Sequence, residues 1–164
     1  MAVLRVAGIS AAAALIWVAG ASQAPSDEKL ALRAIVPGAV ETQPFGCSNL
    51  VLEPFDPYCP SRHIHTGVDL AAPSGTAVRA AAGGTAAVGF DSAGCGLYIS
   101  VAVDSHVRVL YCHLSAALVS SGDKVFTGEL IGRVGSTGMS TGAHLHFEVQ
   151  VDGRAVDPLL WLAS

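Results

Sequence analysis

From Pro44 onward, proline and glycine punctuate the chain so closely that no typical helix fits between them. Pro44, Gly46, Pro54, Pro57, Pro60, Gly67, Pro73, Gly75, Gly83, Gly84, Gly89, Gly94 and Gly96 leave only short gaps. Proline removes a backbone donor and glycine weakens helices, whereas both suit turns. Short runs rich in β-branched residues fill the gaps, at 76–79, 85–90, 97–103, 107–113, 124–126, 130–134 and 144–151. Turn signals at that spacing predict a mainly β domain of antiparallel sheet, a sandwich or barrel. Runs 97–103 and 107–113 flank Asp104-Ser105-His106, the tip of a hairpin. Only two stretches read as helical. One is 26–36, capped by Asp27 and stopped by Pro37-Gly38; the other is 115–121.

The start of the chain has a different character. Arg5 precedes an uncharged apolar stretch, residues 6–18, and small residues follow as Ala19-Gly20-Ala21 and Ser22-Gln23-Ala24. That order reads as a signal peptide over residues 1–24, because the apolar core is shorter than the ~20 residues that span a bilayer. An uncleaved anchor and a buried N-terminal helix are the alternatives. Residues 25–41 form a lead-in, and 42–164 the domain proper. With 164 residues, of which 51% are hydrophobic, the chain suffices for one packed domain and is not disordered. A net charge of −4 without a basic cluster excludes a nucleic-acid partner. Any contact with a membrane is expected through the N-terminal segment alone.

The four cysteines, Cys47, Cys59, Cys95 and Cys112, form no CxxC pair, which argues against a zinc ribbon. An even count behind an export signal suggests two disulfides. Of the three connectivities, Cys47–Cys59 with Cys95–Cys112 is preferred because both pairs are local. The second pair suits a hairpin in which Leu97 lies roughly opposite Cys112.

Chemistry concentrates in the histidines. In His144-Leu145-His146-Phe147-Glu148, residues i and i+2 of a strand share a face. His144, His146 and Glu148 then point one way, and Leu145 and Phe147 enter the core. A lone HxH pair also fits a solvated polar face. His65 and Asp69 are separated by Gly67, and on a straight strand their Cα atoms would stand about 13 Å apart. A bend at Gly67 would bring them together. Two histidines, one carboxylate and an open position are the pattern of a catalytic zinc site, whereas structural sites are closed by four protein ligands.

His65-Thr66-Gly67-Val68-Asp69, Tyr111-Cys112-His113-Leu114 and the HLHFE stretch, joined by the glycine-rich run 131–142, resemble the lysostaphin-type (LytM-type) zinc endopeptidases. Pro73-Ser74-Gly75-Thr76 and the closing Asp157-Pro158 extend the likeness, which covers about residues 42–162. The resemblance implies a LytM-type antiparallel β fold with a narrow groove over one zinc ion. It implies His65, Asp69 and His146 as metal ligands and His113 and His144 as catalytic histidines. It also implies a secreted or cell-envelope enzyme that cuts the peptide cross-links of bacterial peptidoglycan; the chain is expected to act as a monomer.

Two other functions fit the same residues: a silent binding or activator module on this fold, and a zinc peptidase for other Gly-rich peptides. Glu148 is expected to hold a ligand histidine or to be a solvated carboxylate. His63 is read as a groove or surface residue, and His106 carries no motif. The segment 47–59, with Asn49, Phe55, Asp56 and Tyr58, is expected to be a groove wall or a plain loop.

Overall fold

The computed structural model describes residues 29–164. The apolar stretch 6–18, both candidate cleavage points and Asp27 lie outside the described residues. In chain order the elements are α1 (Leu32–Ile35), β1 (Val40–Gln43), β2 (Gly46–Ser48), β3 (His63–His65), β4 (Gly67–Ala71), β5 (Ala77–Arg79), β6 (Gly84–Asp91) and β7 (Gly96–Ala102). They continue with β8 (Val107–Leu114), β9 (Ala116–Ala117), β10 (Lys124–Val125), β11 (Leu130–Arg133), β12 (His144–Val151), β13 (Arg154–Val156) and α2 (Pro158–Ala163). Every strand pairing is antiparallel.

The main sheet runs β1-β4-β12-β8-β7-β6-β10. Strand β12 lies inside it: β8 flanks one edge, while β4 and then β13 share the other. Leu145, Phe147 and Val149 of β12 are fully buried, and the residues between them stay partly open. Val68 and Leu70 on β4 and Val109 and Tyr111 on β8 join the same core. A small sheet, β5-β11-β9, supplies Val78 and Ile131 to that core from the other side. Each large side chain buried this way contributes about 1.5–3 kcal/mol. The opposite face of β4, β8 and β12 is thereby left for polar residues. The lead-in contributes to the same core, since Ile35 and Val36 are buried and Leu30 N–H donates to the Ala81 carbonyl at 2.7 Å.

Strands β7 and β8 do not pair evenly. Leu97 lies opposite Leu114 and Ile99 opposite Tyr111, so Cys112 and His113 together face Tyr98. Two residues against one is a β-bulge, and His113 carries its left-handed angle, φ 65°. Leu97 is therefore opposite Leu114, not Cys112 as expected. The disulfides still form between Cys47 and Cys59 and between Cys95 and Cys112, with Cα atoms 5.3 and 4.8 Å apart.

The helical expectations need correction. Of 26–36, only the four residues of α1 are helical among the described residues, with Ala31 at the N-cap and no capping side chain. Val36 is extended, the conformation favoured before a proline such as Pro37. The stretch 115–121 contains no helix; Ala116 and Ala117 pair with β11 instead. The short α2 was not anticipated, although Asp157 caps the Leu159 N–H and Pro158 opens the first turn, both ordinary start signals.

The Tyr111 hydroxyl accepts the buried Ala81 N–H at 2.7 Å, and burial pushes its pKa up. Tyr111→Phe would leave that N–H without an acceptor. The expected loss is about 1–3 kcal/mol of stability, read from urea unfolding. A variant within a few tenths of wild type would show that another group satisfies Ala81.

Candidate metal centre

Asp69 on β4 and His146 on β12 are direct cross-strand partners. Facing side chains in an antiparallel pair stand close, and here Asp69 Oδ1 is 3.0 Å from His146 Nδ1. His65 arrives from β3, which pairs with β2 in a separate two-stranded sheet. The chain changes sheet at Thr66, and this brings His65 Nε2 to 3.1 Å from Asp69 Oδ1 and 3.0 Å from His146 Nδ1. The expected bend at Gly67 is thus displaced by one residue. Gly67 lacks a left-handed φ; its need for glycine is spatial. A Cβ there would strike the Phe147 carbonyl and come within 2.9 Å of the His146 ring.

The hydrogen-bond partners assign the lone pairs. The Pro44 carbonyl accepts the Nδ1–H of His65 at 2.9 Å, leaving the lone pair on Nε2. Glu148 Oε2 lies 3.5 Å from His146 Nε2 and points the other nitrogen, Nδ1, inward. Glu148 is itself fixed by Thr66 Oγ1 and Gln150 Nε2, both at 2.6 Å. It is the second-tier partner of the histidine, not a solvated carboxylate. Two imidazole lone pairs and a carboxylate oxygen thus meet at one point, and they repel unless a positive charge sits among them. A proton on His146 is one solution and a cation is the other. Imidazole and carboxylate bonds of about 2.0–2.2 Å to a tetrahedral ion separate the donor atoms by a little over 3 Å, so the set fits zinc. Among the described residues, this is the group of side chains that satisfies such a geometry.

Burial alone would raise the Asp69 pKa, but the His146 and His65 rings hold it far below the usual carboxylate range. Burial also opposes charge on His146, yet Asp69 and Glu148 keep its pKa up to about 9.

His113 and His144 stand beside this cluster, with ring centroids 4.7 Å apart. The Thr137 carbonyl accepts His113 Nδ1–H at 2.9 Å, and the Gly142 carbonyl accepts His144 Nδ1–H at 2.8 Å. These bonds select the Nδ1–H tautomer in both rings, which turns Nε2 toward the groove. That of His144 is 3.7 Å from Asp69 Oδ1. Burial lowers the His113 pKa, and the neighbouring His144 and His146 rings act in the same direction. Both carbonyls belong to the glycine-rich segment, which folds over the site.

One open groove holds all five residues. Leu50, Leu52, Glu53 and Pro54 form one wall, and Met139, Ser140 and Thr141 another. The disulfide-clipped segment is thus a wall, built by different residues from those expected; Phe55 and Tyr58 project into solvent. His63 stays outside the groove, its Nδ1 bonded to the Glu53 carbonyl at 2.8 Å. His106 lies in the hairpin turn and pairs with Asp152 at 2.7 Å.

Known proteins are similar to this chain in sequence and in fold. The catalytic domain of the antimicrobial peptidase lysostaphin from Staphylococcus simulans superposes with TM-score 0.64 at 33% identity, covering 77% of this chain and 93% of that one. The DD-carboxypeptidase/endopeptidase Mpg of Neisseria meningitidis serogroup B is 46% identical over 96 residues, 58% of this chain and 22% of that protein. The peptidoglycan DD-endopeptidase ShyA of Vibrio cholerae is 38% identical over 95 residues, again 58% of this chain and 22% of that protein. The match thus spans about a fifth of the length of these two relatives. Fold and ligand cluster define the class as a metallopeptidase with a mainly β catalytic domain. The profile of peptidase family M23 matches residues 63–158, and the chain belongs to that family.

Two measurements check the site. With its pKa near 9, His146 in chelator-treated protein is protonated at pH 7, and it must lose that proton to serve as a ligand. Zinc uptake at pH 7 should release about one proton per ion, measured by calorimetry in buffers of different ionisation enthalpy. Gly67→Ala should push β4 away from β12 and abolish stoichiometric zinc binding while the protein remains folded by circular dichroism. Wild-type zinc content in that variant would refute the spatial role of Gly67.

Proposed function

We propose that the chain is a zinc-dependent endopeptidase that hydrolyses peptide cross-links of bacterial peptidoglycan in the cell envelope or outside it. The observation that carries this reading is the convergence of His65 Nε2, Asp69 Oδ1 and His146 Nδ1 within 3.0–3.1 Å, beside two histidines with free Nε2 atoms in an open groove. The DD-endopeptidases of peptidoglycan among its relatives support the substrate. The apolar N-terminal stretch supports export, and no helix among the described residues is long and apolar enough to cross a membrane. Residues 42–164 are proposed as the catalytic domain, acting as a monomer.

His65, Asp69 and His146 would hold the metal. Zinc held there would supply Lewis acidity toward the attacking water and the scissile carbonyl. The remaining work belongs to the protein. Glu148 and the Pro44 carbonyl keep the ligand rings in their tautomers. His113, kept neutral by burial, takes a proton at Nε2 from the attacking water. His144, with Nε2 on the ligand side of the groove, would donate a hydrogen bond to the developing oxyanion after taking a proton from solvent, and His113 would return its proton to the leaving amine as the C–N bond breaks. The walls on either side align an extended peptide over these groups.

His146→Ala should lose zinc and activity together. His144→Ala and His113→Ala should retain most of the zinc and lose roughly 10²–10⁴-fold in kcat. Metal analysis beside digestion of a soluble cross-linked muropeptide decides between the roles. Equal zinc loss in the His144 and His146 variants would overturn the assignment. A full complement of zinc with no cleavage of any peptidoglycan would favour the binding-module reading.

The pH dependence has a definite sign. Acid removes zinc by protonating His146, and it separately charges His113. Burial lowers the His113 pKa, so in saturating zinc the acid limb should have its midpoint below 6.5. A midpoint above 7 under those conditions would be incompatible with His113 as the base.

A further inference from the structure

An unbroken pleat would send His113 to the wrong side of the sheet. Tyr111 enters the core opposite Phe147, and Cys112 is the cross-strand partner of His146 on the groove side. Regular alternation would then direct His113 back into the core beside Tyr111. The bulge at Cys112-His113 prevents this, at the expense of a left-handed φ of 65° on a non-glycine residue. Such a conformation persists only where its surroundings enforce it.

Two segments enforce it. The turn before β7 supplies Cys95, whose sulfur is bonded to Cys112 and whose carbonyl accepts the His113 N–H at 2.7 Å. The glycine-rich segment supplies Thr137. Its carbonyl holds the ring, while its Oγ1 accepts the Leu97 N–H and donates to the Leu114 carbonyl, both at 2.9 Å. Met139 N–H closes the circuit on the Gly94 carbonyl at 2.8 Å. Hydrogen bonds contribute about 1 kcal/mol each, and a strand can slip past them. The disulfide is the one covalent link across the bulge.

We infer that the Cys95–Cys112 disulfide is a positioning device for His113: it pins the bulge that turns this histidine from the core to the groove. The inference rests on the reading of His113 as the proton acceptor. None of the three metal ligands lies on either linked segment, because His65, Asp69 and His146 come from β3, β4 and β12. Cys112 is the cross-strand partner of His146, but the β8–β12 ladder runs without a register shift from that pair to Val107 and Val151, so loss of the bridge acts on turnover and metal retention is spared.

The test is a double-mutant cycle on the full chain. Cys95→Ser/Cys112→Ser is combined with His113→Ala, and zinc content, kcat and KM are measured on a soluble cross-linked muropeptide. The serine pair alone should keep its zinc and a KM within about twofold, and lose roughly 10- to 100-fold in kcat, as misplaced catalytic groups do. In the His113→Ala background the same pair should cost less than about twofold more, because both changes remove one function. Wild-type kcat in the serine pair, or losses that multiply across the cycle, would overturn the inference. Should the serine pair not accumulate as folded protein, Thr137→Val decides by the same readouts. That variant should reproduce the kcat loss with zinc retained, and Thr137→Ser should restore it. Thr137→Val with wild-type kcat, or with zinc lost, counts against the clamp. Unchanged turnover in His113→Ala would instead refute the base assignment on which the inference rests.

Discussion

The antiparallel pairing of β4 with β12 is the constraint from which the site follows. It sets Asp69 opposite His146 inside a sheet whose other face is sealed by Val68, Leu70, Leu145 and Phe147. A slip of one residue would bury the histidine and expose Phe147, so the hydrophobic core fixes the register of the metal ligands. Packing energy is thereby converted into the position of two donor atoms. Gly67 lets the strands close to that distance, and the change of sheet at Thr66 adds His65 as a third donor.

Charge explains why the cluster calls for a positive occupant. Three electron-rich atoms within 3.1 Å of one another are tolerable only around a proton or a cation. The backbone resolves the ambiguity of each ring. Carbonyls of Pro44, Thr137 and Gly142 accept from Nδ1 of His65, His113 and His144, while Glu148 takes the opposite nitrogen of His146. Four imidazoles are thus given fixed tautomers by four different partners. Their surroundings then separate their duties: carboxylates beside His146 outweigh its burial and favour a positive guest, whereas burial and the neighbouring rings keep His113 neutral.

Much of this was legible in the residues, because side chains carry the signal. The alternation of 144–151 predicts β12 with its bounds, and the punctuation predicts the hairpin of β7 and β8. The ligand triad was identifiable only through family resemblance, since HxH and HxxxD by themselves fit other roles. Strands β1 to β4 and β13 were not legible: Val40-Glu41-Thr42-Gln43 is exposed at an edge, β2, β3 and β13 are three residues each, and β4, which carries Asp69, is five residues opening on Gly67. The carbonyl partners were invisible for a deeper reason. Every residue has a carbonyl, so Thr137 and Gly142 are marked by where the glycine-rich segment folds and by nothing in their own side chains. The bulge was hidden likewise, because any residue other than glycine is uncommon at a left-handed position and nothing beside His113 marks one.

The period of two along a strand divides this protein into a stabilising face and a reacting face, and it offers only alternate residues to each. A site that needs side chains from three neighbouring strands must take them at the registers the core allows. His146 and Asp69 satisfy that rule. His113 violates it by one position, and His65 avoids it by coming from another sheet. At both exceptions the chain carries a local device: a sheet change beside a glycine for His65, and a bulge crosslinked through Cys112 for His113. These two departures from the regular pleat thus serve the chemistry, each delivering a residue that regular alternation would not bring to the groove.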